Sequence, residues 1–357
     1  MKAAVQAGYE VVAMDVFADA DTQRAAHQAF KLGYDNGGFV ADEVERVLDQ
    51  LDIKSMCGLV YGSGFEAQPD LLERIESRLP LLGNRPIVVR NLKRPRQFFM
   101  LLDALHISHP DISFSPLDDT AGWLQKHAGG SGGTHVMQAP SGVAPQHGHY
   151  FQRAMPGEPV SVLFLADGQQ IKVIGFNQQW VAPSAGMPYR YGGVVGHAEL
   201  AASVKQQLIL AAQKLTSAVG LRGLNSLDAV IDGERVWVLE INPRLSSTFD
   251  LYQSKDCNLF EWHVRACTTG LAGMTEALPI PKIAKARQVV YAPYDLVLPA
   301  EFAWPEWVAD IPMPNSTIAA DNPVCTVLAE ADNATAAQAL VLSRKAIIED
   351  LIKTLKR

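Results

Sequence analysis

The chain has 357 residues, 48% of them hydrophobic and 19% charged, room for two to three domains at ~150 residues each and for a core that needs no disulfide or metal staple. That balance excludes small disulfide scaffolds, fibrous chains and disordered ones. With 31 basic and 38 acidic residues the net charge is -7, and no basic stripe is present to neutralise a phosphate backbone, so nucleic acid is not an expected partner. Cys57, Cys257, Cys267 and Cys325 form no C-x-x-C pair, which points to reduced structural thiols. No run approaches the roughly 18 apolar residues of a membrane span, and Glu10 and Asp15 arrive too early for a secretory leader. A cytoplasmic location without a membrane partner is the expectation.

Residues 1–88 read as alternating β and α elements. An apolar run from Tyr9 to Phe17 and a second from Ser55 to Phe65 look like strands of a parallel sheet covered on both faces. Gly62 and Gly64 then punctuate a turn before the helical PDLLERIESRL. This order is Rossmann-like. Such a unit normally opens with a strand, whereas this chain opens on an apparent helix, so the first strand is expected to be missing. From Pro95 a helix, RPRQFFMLLDAL, leads into short strands at GWLQKH, THVMQA, VSVLFLADGQQIKVIGF and AVIDGERVWVLEIN, with Asp167-Gly168 and Asp232-Gly233 marking two hairpins. A long helix, LAASVKQQLILAAQKLTSAV, lies between the last two. Beyond Pro279 come a strand at RQVVYAP, another at PVCTVLAE and a final helix. The predicted fold is thus mixed α/β and α+β, in three portions: 1–88, 89–275 and 276–357.

The sharpest group is the Asp228 to Arg244 hairpin. Strand side chains alternate faces, so Glu240 and Asn242 point the same way, and the turn at Asp232-Gly233 returns them beside Asp228. Two carboxylates and an amide oxygen converge there, the hard ligands that magnesium takes beside nucleotide phosphates. Arg244 could lean its fork on a transferred phosphoryl group. Taken alone, the hairpin equally fits ordinary solvated carboxylates. A second group is Lys126, followed by Gly129, Gly130, Ser131, Gly132 and Gly133, where backbone amides can turn over phosphate oxygens; a flexible surface loop accounts for it equally. The order is not that of a P-loop. A third is HYFQRAMPGEPVSVLF, whose extended backbone could read an adenine edge while Glu158 accepts from ribose hydroxyls. His147 and His149 form an H-x-H without a nearby third ligand, and the Tyr189 to Gly193 segment reads as a turn; no G-x-S-x-G elbow exists.

In content and order these residues resemble the ATP-grasp superfamily, in particular its carboxylase-like ligases, across nearly the whole chain. The resemblance implies an ATP-grasp fold: a Rossmann-like N-terminal domain, a lid over about residues 115–165, and a small C-terminal α+β portion. It implies that Lys126 and, as a weaker match, Lys93 contact phosphates, that residues 129–133 cover them, and that Glu158 holds the ribose. Where many members carry a hinge Glu facing adenine, this chain has Gln152, Arg153 and Ala154. It further implies two magnesium ions on Asp228, Glu240 and Asn242, with manganese able to substitute, and Lys126 and Arg244 as the catalytic pair. Biotin carboxylases carry a Glu four residues after this Arg; here Thr248 stands there, with Asp250 the nearest carboxylate. The tail also resembles ATP-grasp proteins associated with tetrahydromethanopterin- or methanofuran-type one-carbon carriers.

The implied activity is ATP-dependent joining of a small carboxylic acid to an amine through an acyl phosphate, in a protein that forms homodimers and serves cofactor biosynthesis. Two alternatives stay open: a carboxyphosphate-forming carboxylase-like enzyme, and a non-catalytic ATP-binding regulatory protein.

Overall fold

The computed structural model describes residues 1–357 except Asn36, Gly273, Thr275, Glu276 and Arg357. Its N-terminal part opens with α1 (Lys2–Gln6), β1 (Val12–Asp15), α2 (Ala20–Ala25) and β2 (Gln28–Lys31). β1 pairs with β2 in parallel from Val12↔Gln28 to Asp15↔Lys31. The Asp19 carboxylate starts α2 by accepting from the Thr22 amide at 2.7 Å, a side-chain cap for an otherwise orphaned donor. A small hairpin, β3 (Tyr34–Asp35) and β4 (Gly38–Phe39), leads to α3 (Ala41–Gln50), which buries Val44, Val47 and Leu48, the i, i+3, i+4 stripe of a helix lying on a core.

The apolar run Ser55 to Phe65, expected as a strand, makes only one parallel bridge, Leu59↔Leu81. Leu59 spends its amide on Pro80 O and its carbonyl on Leu82 N, both at 2.8 Å. The other edge of the run faces a cleft of about 440 Å³ that Val12, Met14, Val60 and Tyr61 line. Without a ladder partner on that side, a longer strand has nothing to pair with. α4 (Pro69–Glu76), α5 (Pro86–Leu92) and α6 (Pro95–Ala104) follow, each with proline at its start, where the missing N–H costs nothing.

Two sheets then form. β5 (Ile112–Ser113), β6 (Trp123–His127), β7 (Met137–Gln138) and β8 (His149–Arg153) make a four-stranded lid in the order β5-β8-β6-β7. β9 (Glu158–Asp167) and β10 (Ile171–Val181) form the first long hairpin, then come β11 (Tyr191–Val195), α7 (Ala202–Val219), β12 (Arg222–Asp232) and β13 (Arg235–Asn242). α8 (Leu259–Thr268), β14 (Ala284–Tyr291), β15 (Leu296–Val297), β16 (Val308–Ala309), β17 (Thr317–Ile318), β18 (Pro323–Ala331) and α9 (Ala334–Lys353) complete the order. The central sheet runs β13-β12-β9-β10-β11-β14-β18-β16. The expected boundary at 275/276 lies outside the described residues, and β14, β18 and β16 continue the sheet that β9 to β13 begin.

Both faces of this sheet are covered. Val162, Phe164, Leu227 and Val238 pack with Phe99 of α6 and Leu208 and Leu215 of α7, while Leu163, Leu165 and Leu224 pack with Tyr252 and with Leu259 and Trp262 of α8. Alternate residues of one strand therefore serve opposite cores.

Asn84 ties the N-terminal part to this sheet. Its Nδ2 donates to Asn225 Oδ1 at 2.8 Å and to Pro243 O at 2.9 Å, and its Oδ1 accepts from the Arg222 amide at 2.8 Å. The side chain is buried, so losing it leaves partners with no water to replace it. Asn84→Ala is expected to lower the unfolding free energy by about 3 kcal/mol, measured by urea denaturation. A loss within error would show that the junction is held elsewhere.

Candidate functional site

The β12–β13 hairpin carries the acidic group. Its register starts regularly at Asp232↔Arg235 and Ala229↔Val238, then shifts, so that Asp228 faces Glu240 and Ser226 faces Asn242. Leu239 is the extra residue of this bulge. The shift decides the chemistry. In an unbroken register Leu239 would oppose Asp228, and Glu240 would share the face of Val236 and Val238, which pack into the α7 core. With the bulge, Ser226, Asp228, Glu240 and Asn242 share the opposite face.

Asp228 Oδ2 accepts from Asn242 Nδ2 at 2.9 Å, and its Oδ1 accepts from Ser226 Oγ at 3.2 Å and Gln179 Nε2 at 3.5 Å. Lys93, just past α5, donates to Glu240 Oε2 at 3.3 Å and Asn242 Oδ1 at 3.1 Å. Arg244 donates through Nε to the buried Glu66 carboxylate, through Nη1 to Leu245 O at 3.0 Å and through Nη2 to Asn242 Oδ1 at 3.4 Å. Among the described residues no three His, Cys, Asp or Glu side chains converge on a metal-sized space, so a third oxygen for a cation would come from the Asn242 amide.

Lys126 on β6 reaches across the lid to Gln152 Oε1 on β8 at 3.0 Å. Gln152 is buried, and its Nε2 has no partner. The backbone amides of Arg153 and Ala154 are already donated to Asp111 O and Gly122 O, both at 2.8 Å, which leaves the Gln152 amide as the free donor of that hinge. Arg153 turns outward, giving Nη1 to Ala121 O at 3.0 Å, with its guanidinium 5.7 Å from the Trp123 ring centre. Glu158, exposed at the start of β9, accepts from Gln178 Nε2 at 3.1 Å and stands apart from the acidic group.

The glycine loop is seated rather than free. The Gly130 amide closes its first turn on His127 O at 3.3 Å, Ser131 follows, and Gly132 O accepts from the Tyr191 amide at 2.8 Å. A Cβ on Gly133 would lie 2.0 Å from Tyr189 O, and one on Gly129 would lie 3.0 Å from the Ala67 Cα. Side chains at these two positions would lift the loop off both walls.

Sequence reasoning brought together Asp228, Glu240, Asn242 and Arg244, and the structure sets Lys93 among them. It missed Glu66, Ser226 and Gln179. Glu66 follows the Gly62 and Gly64 turn, but nothing local marks a carboxylate for burial against a residue 178 positions away. Thr248 is buried and shares a 2.7 Å hydrogen bond with Ser246, while Asp250 pairs with Arg287 at 2.5 Å. The expected H-x-H is confined to the lid, where the His127 and His149 rings meet edge to face at 4.8 Å.

The carboxylates differ sharply. Burial and then repulsion from Glu240 push Asp228 up to about 6. Burial acts the same way on Glu240, but Lys93, Lys126 and His135 outweigh it and pull the group down to about 2. Burial lowers the Lys126 ammonium, against the attraction of Glu240, and lowers His135 to about 4. Neighbouring carboxylates whose titrations are driven apart in this way cluster at functional sites.

Residues 99–248 match the family described as the ATP-grasp domain. The fold is similar to the biotin carboxylase from Campylobacter jejuni (TM-score 0.71, 11% identity, 94% of this chain and 85% of that one). It is also similar to the biotin carboxylase domain of Hydrogenobacter thermophilus 2-oxoglutarate carboxylase, a dimer solved with MgADP and bicarbonate (TM-score 0.70, 11% identity, 96% and 85%). A third likeness is to the Rhizobium etli pyruvate carboxylase (TM-score 0.70, 13% identity, 94% of this chain), of which the chain spans 34%. At these identities the likeness is one of fold.

Because the folded Asp228 titrates above the unfolded value of ~3.9, its protonated form favours the native state. That contribution is complete below about pH 4 and is lost as pH rises through 6. Carbon-13 NMR of labelled aspartates, without divalent cations, is expected to show one carboxyl titrating near 6, and Lys93→Gln is expected to move it higher. A normal midpoint in both proteins would contradict the charge arrangement.

Proposed function

We propose, from the ATP-grasp superfamily to which the chain belongs, that it is an ATP-dependent ligase that joins a small carboxylic acid to an amine. The observation that carries this reading is the confrontation of Asp228, Glu240 and Asn242 with Lys93, Lys126 and Arg244. Such a group neutralises and positions phosphates and contains no protein nucleophile.

The residues fit magnesium: two carboxylates and an amide offer hard oxygens, and their mutual repulsion is what a divalent cation would relieve. Asp228, Glu240 and Asn242 would hold it, one ion or two, and manganese would serve in its place. Bound there, the metal would supply charge neutralisation at the phosphates. The unpartnered Gln152 Nε2 would meet the adenine edge, Lys126 and the 129–133 loop the phosphates, and Glu158 the ribose.

In this reading a carboxylate oxygen of the acid attacks the γ-phosphorus, and the bond to the ADP oxygen breaks. The amine then attacks the acyl carbon, inorganic phosphate leaves and the nitrogen loses a proton. Lys126 and Arg244 would stabilise the transferred group, and the seated lid would keep water from the intermediate. We extend the reading to a homodimer, since the Hydrogenobacter domain is a dimer.

A second reading, carboxyphosphate formation from bicarbonate, is favoured by the fold likeness to biotin carboxylases. Against it, the buried Thr248 hydroxyl is no base and Asp250 is engaged by Arg287. No helix among the described residues is long and apolar enough to cross a membrane.

The test is ADP release with ATP and magnesium across pooled acids, with and without pooled amines, followed by mass spectrometry. An amide product needing one acid and one amine is expected; stimulation by bicarbonate alone would select the second reading. Asp228→Asn and Glu240→Gln are each expected to cut turnover by about a hundredfold or more. Near-normal turnover in folded variants would sink the site assignment.

A further inference from the structure

Glu66 belongs to the N-terminal part, at the end of the Gly62 to Glu66 turn, yet its carboxylate is spent inside the cleft of the central sheet. Its side chain is 3% exposed. Oε1 takes the Arg244 Nε proton, and Oε2 accepts from the Gly64 amide at 3.0 Å, so both oxygens are engaged and the carboxylate is fixed in place. Arg244 lies two residues beyond Asn242, with its Nη2 already 3.4 Å from Asn242 Oδ1. The backbone beside it is pinned, since Pro243 O accepts from Asn84 Nδ2 at 2.9 Å and from the Tyr61 hydroxyl at 3.3 Å.

A guanidinium in a largely buried cleft takes the nearest carboxylates in reach, because attraction there is screened far less than in water. Without Glu66, the nearest acidic oxygens on its own hairpin are those of Asp228 and Glu240. We propose that Glu66 is a positioning residue that holds the Arg244 fork away from Asp228 and Glu240, so that their oxygens stay open to a divalent cation. This rests on the reading of Asp228, Glu240 and Asn242 as a cation site. It gives the N-terminal part a role in catalysis that its sequence does not announce, since it would set the geometry of a hairpin more than 170 residues away. The two basic groups then have different roles. Lys93 sits directly on Glu240 and Asn242 and would give way to the metal, whereas Arg244 is kept aside for the reacting group.

The test is binding of manganese(II), with ADP present at pH 8, followed by the electron paramagnetic resonance signal of the free ion. The wild-type protein is expected to take up manganese. Glu66→Gln is expected to bind it about tenfold more weakly, the lower end for partners that orient metal ligands. The double variant Glu66→Gln with Arg244→Gln is expected to recover affinity to within about twofold of wild type, because the competing guanidinium is gone. Circular dichroism confirms that each variant is folded. Unchanged binding by Glu66→Gln, or a folded double variant that stays as weak as the single one, would overturn the proposal. Absence of uptake by the wild type would overturn the cation site itself, and the proposal with it.

Discussion

Two carboxylates that face each other on one sheet face repel when both are ionised, and the cations that stand against them set the arrangement of the whole cleft. Lys93 reaches Glu240 and Asn242 from the end of α5, Lys126 approaches from the lid, and Arg244 comes from the same hairpin. The result is asymmetric: Glu240 is held charged, while Asp228 is left near the edge of protonation. In a medium of intermediate dielectric such separations outweigh the cost of taking the groups out of water only when hydrogen bonds complete them. Ser226, Gln179 and Asn242 do so for Asp228.

The scaffold has to deliver these groups from distant parts of the chain. It does so through two cores on opposite faces of one sheet, which fix β12 between α7 and α8 and hold β13 on the α7 side, and through the Asn84 bonds that lock the N-terminal part against Pro243 and Asn225. The glycine loop of the lid comes close to Ala67 and Tyr189 through its backbone, while Tyr150 of β8 packs the lid sheet against Phe99 of α6. A loop held by backbone contacts on a sheet anchored in the core suits a cover over a site that must admit a substrate and then exclude water.

Much of the architecture was legible from local pattern. The α4, α6, α7 and α9 helices announce themselves by periodic apolar residues, helped by proline at the start of α4 and α6 and by Asn333 ahead of α9, and the two long hairpins by Asp-Gly turns. The Ser55 to Phe65 run misled, because apolar composition signals burial but not a ladder partner, and the partner exists on one edge only. The Gln152 to Ala154 hinge was visible as a place, but not as one whose backbone donors are already committed.

By itself the sequence determined which residue types meet on the acidic hairpin: a turn at Asp232-Gly233 must bring Asp228 close to Glu240 and Asn242, because strand pairing is local and its spacing is set by the turn. Only the tertiary structure decided which way they face. The bulge at Leu239 reverses the alternation of β13, and it is favoured because it keeps Val236, Val238 and Ile241 all in the α7 core while sending Glu240 to the other side. The Glu66–Arg244 pair belongs to the same class of decision. A buried ion pair between residues 178 positions apart depends on where the N-terminal part meets the central sheet, and no local preference of either residue encodes that distance.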